Sequence, residues 1–472
     1  MSPLSRSIAI GLALIPAAQA QTLPKAPHAE VFTLTPTPGP FTEPGIAVNP
    51  ANPQQVVGVF QDNVHAAYSQ DAGQTWKLAE NVDPKNYRVS GDVSVAFDNQ
   101  GHAFVCYIAF DKLGTVNYWA RGATRNGIFV RRSLDAGKTW EADHIPVAEQ
   151  PSQPGIPFED KPYIVADNTK SKYAGNLYIG WTRWRIADSQ IVLSRSTDDG
   201  KTWSQPIEID PHPGLPRDDN GAVEGFSGAV SPDGTLYAIW SQDDSIMLTT
   251  SRDGGKTFSR ARPIMHTAPI MFAVDTLERA NGFPQIAIDP KTKRLYIAWS
   301  DYRNVDVDIF VASSANGGKH WTEPVRVNND PTHNGAEQFF QWLAVDPIDG
   351  SVNVLFYDRR GDPQNQKQIV ALGRSTDGAQ TFANYALTDN PFEASGVFFG
   401  DYTGLAAYGG RVYGIWMEKP PEPSPQSADK RVDDMERDKD KDKPEAGKEA
   451  SPPPKGTIVR VGTADFISGT AK

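Results

Sequence analysis

Carboxylates, arginines and aromatic residues gather at two recurring kinds of place in this sequence, and those are where chemistry is expected. One kind lies just before apolar runs that end in Asn or Asp: Glu43-Pro44, Gly91-Asp92, Glu159-Asp160-Lys161-Pro162, Glu224-Gly225-Phe226, Phe283-Pro284-Gln285, Phe340-Gln341-Trp342 and Phe399-Gly400-Asp401-Tyr402. The other lies just after apolar runs that end in an aromatic: Gln61-Asp62, Arg183-Trp184-Arg185, Gln242-Asp243-Asp244, Asp301-Tyr302-Arg303 and Tyr357-Asp358-Arg359-Arg360. Paired carboxylates can serve as acid and base, a guanidinium fork binds a carboxylate through two hydrogen bonds, and an aromatic ring stacks on a sugar face. Asp92, Glu224, Asp401 and Tyr402 are the candidate catalytic residues, and Glu43, Asp160, Arg183, Arg185, Arg303, Arg359 and Arg360 the candidate substrate-binding residues. Tyr402 follows two aromatics, a glycine and an acid, and a neutral phenol can attack without the repulsion that an anionic nucleophile meets from a substrate carboxylate. The plainer alternatives stand beside these: neighbouring Asp and Arg pair at the surface, Tyr402 hydrogen-bonds across a sheet, and Asp401 caps its first turn.

The elements that must position these residues are repeats. Ser196-Thr197-Asp198-Asp199-Gly200-Lys201-Thr202-Trp203 has close copies ending at Trp76, Trp140, Phe258, Trp321 and Phe382, at a period of roughly 55 to 65 residues. In each box the Asp side chain can accept hydrogen bonds from the backbone N–H groups just after it, while the glycine takes a left-handed backbone. The closing aromatic supplies an apolar plate to pack between sheets. Asn316 replaces the Asp in the fifth box and still accepts such bonds, and Ala379 replaces the second small residue in the sixth. A residue present in every repeat serves the fold, so the boxes are read as hairpin fasteners rather than as catalytic groups.

Each repeat has the same order: a strand ending in Asn or Asp, a strand ending in an aromatic, a third running into the box, and a fourth leaving it. Four antiparallel strands per repeat make a propeller blade, so the fold class is all-β, a β-propeller. Past the sixth box, Tyr402 to Ala407, Arg411 to Trp416 and Gly456 to Phe466 supply three strands of a further blade. The spare strand at His28 to Thr35 can fill the fourth place and leave no open edge, which favours seven blades over six. Residues 418–455 are charged and Pro-rich with almost nothing apolar, and read as a disordered surface insertion in the last blade. Residues 21–472 form one domain in this reading.

The boxes are the Asp-box, or BNR, pattern, and the chain resembles the bacterial sialidases and their β-propeller relatives. Sialidases of this class carry an Arg in a Phe-Arg-Ile-Pro motif, two later arginines, an Asp acid/base, and a Tyr nucleophile paired with a Glu. The resemblance implies Asp92 as acid/base, Glu224 and Tyr402 as the Glu/Tyr pair, and Arg303 with Arg359 or Arg360 as the later arginines, matched by order along the chain. The first arginine is absent, since the corresponding stretch reads Phe41-Thr42-Glu43-Pro44. The resemblance thus implies a glycoside hydrolase acting on terminal sugars of glycans, acidic ones included. The alternative, motivated by Thr42, is a non-catalytic propeller that binds glycan or protein.

Composition narrows the partners. A net charge of −11 argues against nucleic acid, which needs clustered Lys and Arg. Arg6, the apolar run Ile8 to Ala18 and Ala18-Gln19-Ala20 read as a signal peptide over residues 1–20, implying export to the periplasm or beyond, and no later run is long enough to span a bilayer as a helix. The single cysteine, Cys106, sits in an apolar run and reads as a buried hydrophobe. Metal-ligand spacing and nucleotide-binding loops are lacking, so no cofactor or metal is expected, and the chain is expected to act as a monomer.

Overall fold

A computed structural model describes residues 21–111, 125–151, 157–216, 221–270, 274–420 and 456–467. The expected signal peptide at 1–20 and residues 421–455 of the expected insertion lie outside the described residues. Seven antiparallel sheets follow one another around an axis, and the described residues contain no helix. Six blades are consecutive in sequence, the first being Thr42–Val48, Val56–Gln61, His65–Ser69 and Lys77–Leu78. The seventh combines Gly404–Tyr408, Arg411–Glu418 and Ile458–Asp465 with Glu30–Thr33 from the other end of the chain. Glu30 pairs with Thr463 and Thr33 with Arg460, so the spare N-terminal strand closes the ring. Glu418 still pairs with Ile458, and the sheet therefore runs one residue into the stretch the sequence assigns to the insertion.

Between the sheets the core is made by the second and third strands, which are buried on both faces and so read as continuous apolar runs. Trp181, Trp240, Trp299 and Trp416, near the ends of four second strands, are fully buried. Cys106 is buried among Phe104, Ile108 and Val130.

The boxes fasten one end of the blades. In the first, Asp71 Oδ1 accepts from Thr75 N at 2.9 Å and from Ser69 Oγ at 2.8 Å, and Ser69 Oγ in turn accepts from Gly73 N at 2.8 Å. Asn316 keeps the pattern, accepting from His320 N at 2.9 Å. Ala379 holds a left-handed φ of 67° and donates its N–H to Ser375 Oγ at 2.9 Å. Antiparallel pairing puts the start of each first strand beside the end of the second, Thr42 opposite Gln61, and sends the boxes to the opposite end.

Candidate functional site

The start of the first strand is where the polar residues converge, and a backbone irregularity places them. Register slips by one residue between Thr42 and Gly45, Gly91 and Ser94, Asp160 and Tyr163, Glu224 and Ser227, and Phe339 and Trp342. Each slip is a β-bulge, a device that re-aims a side chain. The bulged residues all have positive φ: Glu43 at 51°, Asp92 at 46°, Lys161 at 48°, Gly225 at 74° and Phe340 at 52°. Only the glycine takes that conformation freely, and the others cost on the order of 1–2 kcal/mol each. Backbone strain of this kind persists where the surrounding structure fixes it, and it clusters at functional sites.

Three of the strained residues are charged and adjacent: Glu43 and Asp92 are buried, and little of the Lys161 side chain is exposed. Glu43, Asp92 and Lys161 line a cleft of about 480 Å³ at the mouth of the ring, together with Asp160, Arg279 and Phe398. Asp401 lies beneath it, fully buried at its side chain, and takes Arg279 Nε at 2.7 Å and Nη2 at 2.8 Å as well as Lys161 Nζ. Gln61 ties the two acids of blades 1 and 2, donating to Glu43 Oε2 and to Thr42 Oγ1 at 2.7 Å and accepting from Asp92 N at 2.5 Å. Glycines make this closeness possible: Gly91 leaves the space that the Gln61 carboxamide occupies, and a Cβ on Gly400 would meet Glu43 Cγ at 2.7 Å.

The two acids are held in opposite states. Burial, reinforced by the Asp92 charge and opposed by Lys161, pushes the Glu43 carboxyl well above its ordinary range. At Asp92 burial pushes upward too, but Lys161 and the hydrogen bonds with Glu43 and Asp160 outweigh it, so its carboxyl lies below the usual value. For Asp401, burial is overcome by Lys161 and Arg279, which bring it down to about 2. The surroundings thus favour the proton on Glu43 and the charge on Asp92, pulling two neighbouring carboxyls in opposite directions.

Below the charged layer, aromatics fill the axis. Tyr402 packs on Trp342 and Trp342 on Tyr163, each at 5.8 Å between ring centroids, beside an axial cavity of about 130 Å³ to which all seven blades contribute.

The structure brings together Asp92, Glu43, Asp160, Asp401 and Tyr402 from the sequence candidates, and leaves the others elsewhere. Tyr402 is not paired with Glu224: its hydroxyl points to Val93 O at 3.5 Å, and its charged neighbours are Glu43, Asp92, Asp401 and Asp160. Burial and those charges push its phenol well above its usual value, the reverse of what a nucleophile needs. Glu224 lines a separate cleft between blades 4 and 5. The arginines are held by their own blades: Arg183 by Glu159 at 2.7 Å, Arg185 by Asp188 at 2.6 Å, and Arg303 by Asp301 at 2.6 Å. Arg360 is held by Asp358 at 2.6 Å, and Arg359 is fully buried, donating to Asp275 O and Asn365 O, both at 2.8 Å. No cluster of three arginines faces the mouth among the described residues. The cations that do, Lys161 and Arg279, were not among the sequence candidates. Lys161 stood in the Glu159-Asp160-Lys161-Pro162 stretch, the one signal available, while Arg279 lies in a connection with no repeat to align it.

A second charged group lies away from the mouth. His102 Nδ1 is 3.1 Å from both Asp98 Oδ2 and Asp199 Oδ1, and Arg132 Nη1 reaches Asp199 Oδ2 at 2.5 Å. These contacts link blade 2 to the box of blade 3 as a closed ionic network.

Comparison with known proteins agrees with the architecture. Residues 177–395 match the family model described as a BNR repeat-like domain. A sialidase of Bacteroides fragilis is 28% identical over 205 residues, a match that spans 37% of this chain and 37% of that protein, so the aligned stretch covers little more than a third of the relative's length. Among solved structures, the phage phi92 endosialidase superposes with a TM-score of 0.50 at 13% identity, covering 94% of this chain and 71% of that one. The Hadza microbial sialidase Hz136 superposes at 0.46 with 17% identity, over 78% of this chain and 72% of that one. With its boxes, its seven blades and this match over residues 177–395, the chain is a β-propeller that resembles the sialidase-like BNR-repeat proteins.

Proposed function

We propose that the chain is a glycan-acting glycoside hydrolase in which Glu43 and Asp92 form the acid/base unit. The observation that carries this reading is their pairing at the floor of the mouth cleft, one carboxyl pushed up and the other down. A proton held on Glu43 is available to a departing glycosidic oxygen, and Asp92 is available to polarise water. Gln61 bridges the two residues, donating to Glu43 Oε2 and accepting from Asp92 N. They act as one proton-holding dyad on one side of the scissile bond, with water as the nucleophile. Tyr402 and Asp401 are supports in this reading: Asp401 fixes Lys161 beside Asp92, and Tyr402 seals the axis. Phe398, which is 39% exposed at the rim, supplies a stacking face for a sugar ring. The stretch at residues 1–20 supports export, which places such an enzyme where extracellular glycan is met.

The second reading is a glycan-binding propeller without turnover. It is favoured by the bidentate hold of Asp401 on Arg279, which occupies a cation that a carboxylated substrate would use.

Incubation of the purified chain with aryl α-sialosides, uronic-acid glycosides, neutral glycosides and polysaccharides, with release of reducing ends as readout, separates the two. Release from any of them, lost in Asp92→Asn, supports the hydrolase; retained binding with no release from any member supports the second reading.

A further inference from the structure

The mouth face holds another cleft that the Glu43–Asp92 unit leaves unused. It lies between blades 4 and 5, encloses about 380 Å³, and is lined by Glu224, Gln242, Asp243, Asp244, Asn281 and Phe283 among others. That volume falls within the roughly 300–1,000 Å³ of small-molecule sites. Asn281 is 6% exposed, yet its carboxamide makes no hydrogen bond among the described residues. Its amide atoms are not among the sealed, unsatisfied ones and keep access to the cleft, where a ligand that supplies both donors and acceptors can pair with them. Gln242 beside it is fixed in orientation, accepting from Trp240 Nε1 at 3.1 Å and donating to His212 O at 2.5 Å.

The lining chooses the ligand class. Glu224, Asp243 and Asp244 are acids, and no Lys or Arg lines the cleft among the described residues, so an anionic group is disfavoured there. Hydroxyl or amino groups suit the carboxylates and the Asn281 amide, and Phe283 offers an aromatic wall. Position then links the two clefts. Glu278 and Arg279 line the acid/base cleft and Ala280 to Phe283 line the other, so one short segment forms the ridge between them. Lys161 Nζ lies 5.1 Å from the Phe283 ring across that ridge.

We propose that the blade 4–5 cleft is a saccharide subsite for a neutral or amino-sugar unit, and that the substrate is a polymeric glycan lying across the 278–283 ridge rather than a single terminal sugar. The substrate part of this inference rests on the Glu43–Asp92 cleft being the reaction centre; the subsite itself does not. The test is titration calorimetry of the full chain with chito-oligosaccharide and cello-oligosaccharide ladders from dimer to hexamer, on wild type, Asn281→Ala and Asn281→Asp. Expected is affinity that rises with oligomer length and falls about tenfold in Asn281→Ala at an unchanged melting temperature. No binding by either ladder, or binding indifferent to both Asn281 variants, overturns the subsite. Asn281-dependent binding without cleavage of any oligomer or polysaccharide leaves the subsite standing and removes the hydrolase reading. Cleavage that is equally efficient on dimers and hexamers, and unchanged in Asn281→Ala, removes the subsite and leaves the hydrolase.

Discussion

The Asp401 side chain has no exposed surface and holds two cations, Lys161 from blade 3 and Arg279 from the connection between blades 4 and 5. Removing one partner of a buried pair leaves the other charge uncompensated, so Asp401→Asn should lose about 3–5 kcal/mol in urea denaturation at neutral pH. Its folded pKa of about 2 lies below the ordinary 3.8, so its contribution is complete above 3.8 and is lost as the pH falls through about 2. The variant should accordingly show a smaller acid-dependent loss than wild type in that window. Glu43 has the opposite sign. Its folded pKa is raised, so its favourable contribution is complete below the ordinary 4.5 and disappears as the pH rises through the raised value. Glu43→Gln, which cannot ionise, should gain stability relative to wild type as the pH rises above 4.5, read from melting temperatures across a pH series. Of this site, the acids were legible in the sequence because they differ between repeats that are otherwise alike. The arginine candidates are held within their own loops for a reason also visible there: Arg303 follows Asp301 and Arg360 follows Asp358 by two residues, close enough to pair.

At the scale of elements, the bulge and the box do different work at opposite ends of a blade. The box carries no strain beyond its left-handed pair, and its Asp is a hydrogen-bond acceptor that Asn can replace, as Asn316 shows. Asp198→Ala should therefore cost about 1–3 kcal/mol by leaving Thr202 N and Ser196 Oγ without their acceptor, whereas Asp198→Asn should cost less than half as much. Neither change should alter activity at the far end, a combination checked by thermal melts beside turnover. Boxes were legible because a turn with two left-handed residues is written in Gly, Ala and Asp. Bulges were not, because Glu43, Lys161 and Phe340 are residue types with no preference for positive φ. Their conformation is imposed by neighbours such as Gly400 and Gln61, which lie far away in sequence or on the next strand.

On the scale of the whole molecule, closure depends on four residues from the N-terminal end pairing with the last strand. A chain that begins after Thr35 should leave Ile458–Asp465 as an unpaired edge, melt several degrees lower and associate through that edge, as light scattering would register. Seven blades were legible because three strand patterns follow the last box and one stands spare before the first. What the ring places at its axis was less so. The mouth cleft takes side chains from blades 1, 2 and 3 and from the connections before blades 5 and 7, a convergence that no repeat, read alone, contains.

The central claim is that Glu43 and Asp92 act as one acid/base dyad on a glycan. It is tested most directly by the kcat of Glu43→Gln and Asp92→Asn on the glycan that wild type cleaves fastest, with melting temperatures measured alongside. Each variant should keep its fold and lose about 10²–10⁴-fold in kcat, the usual worth of a positioned acid or base. A folded Glu43→Gln that turns over within a few-fold of wild type would contradict the account.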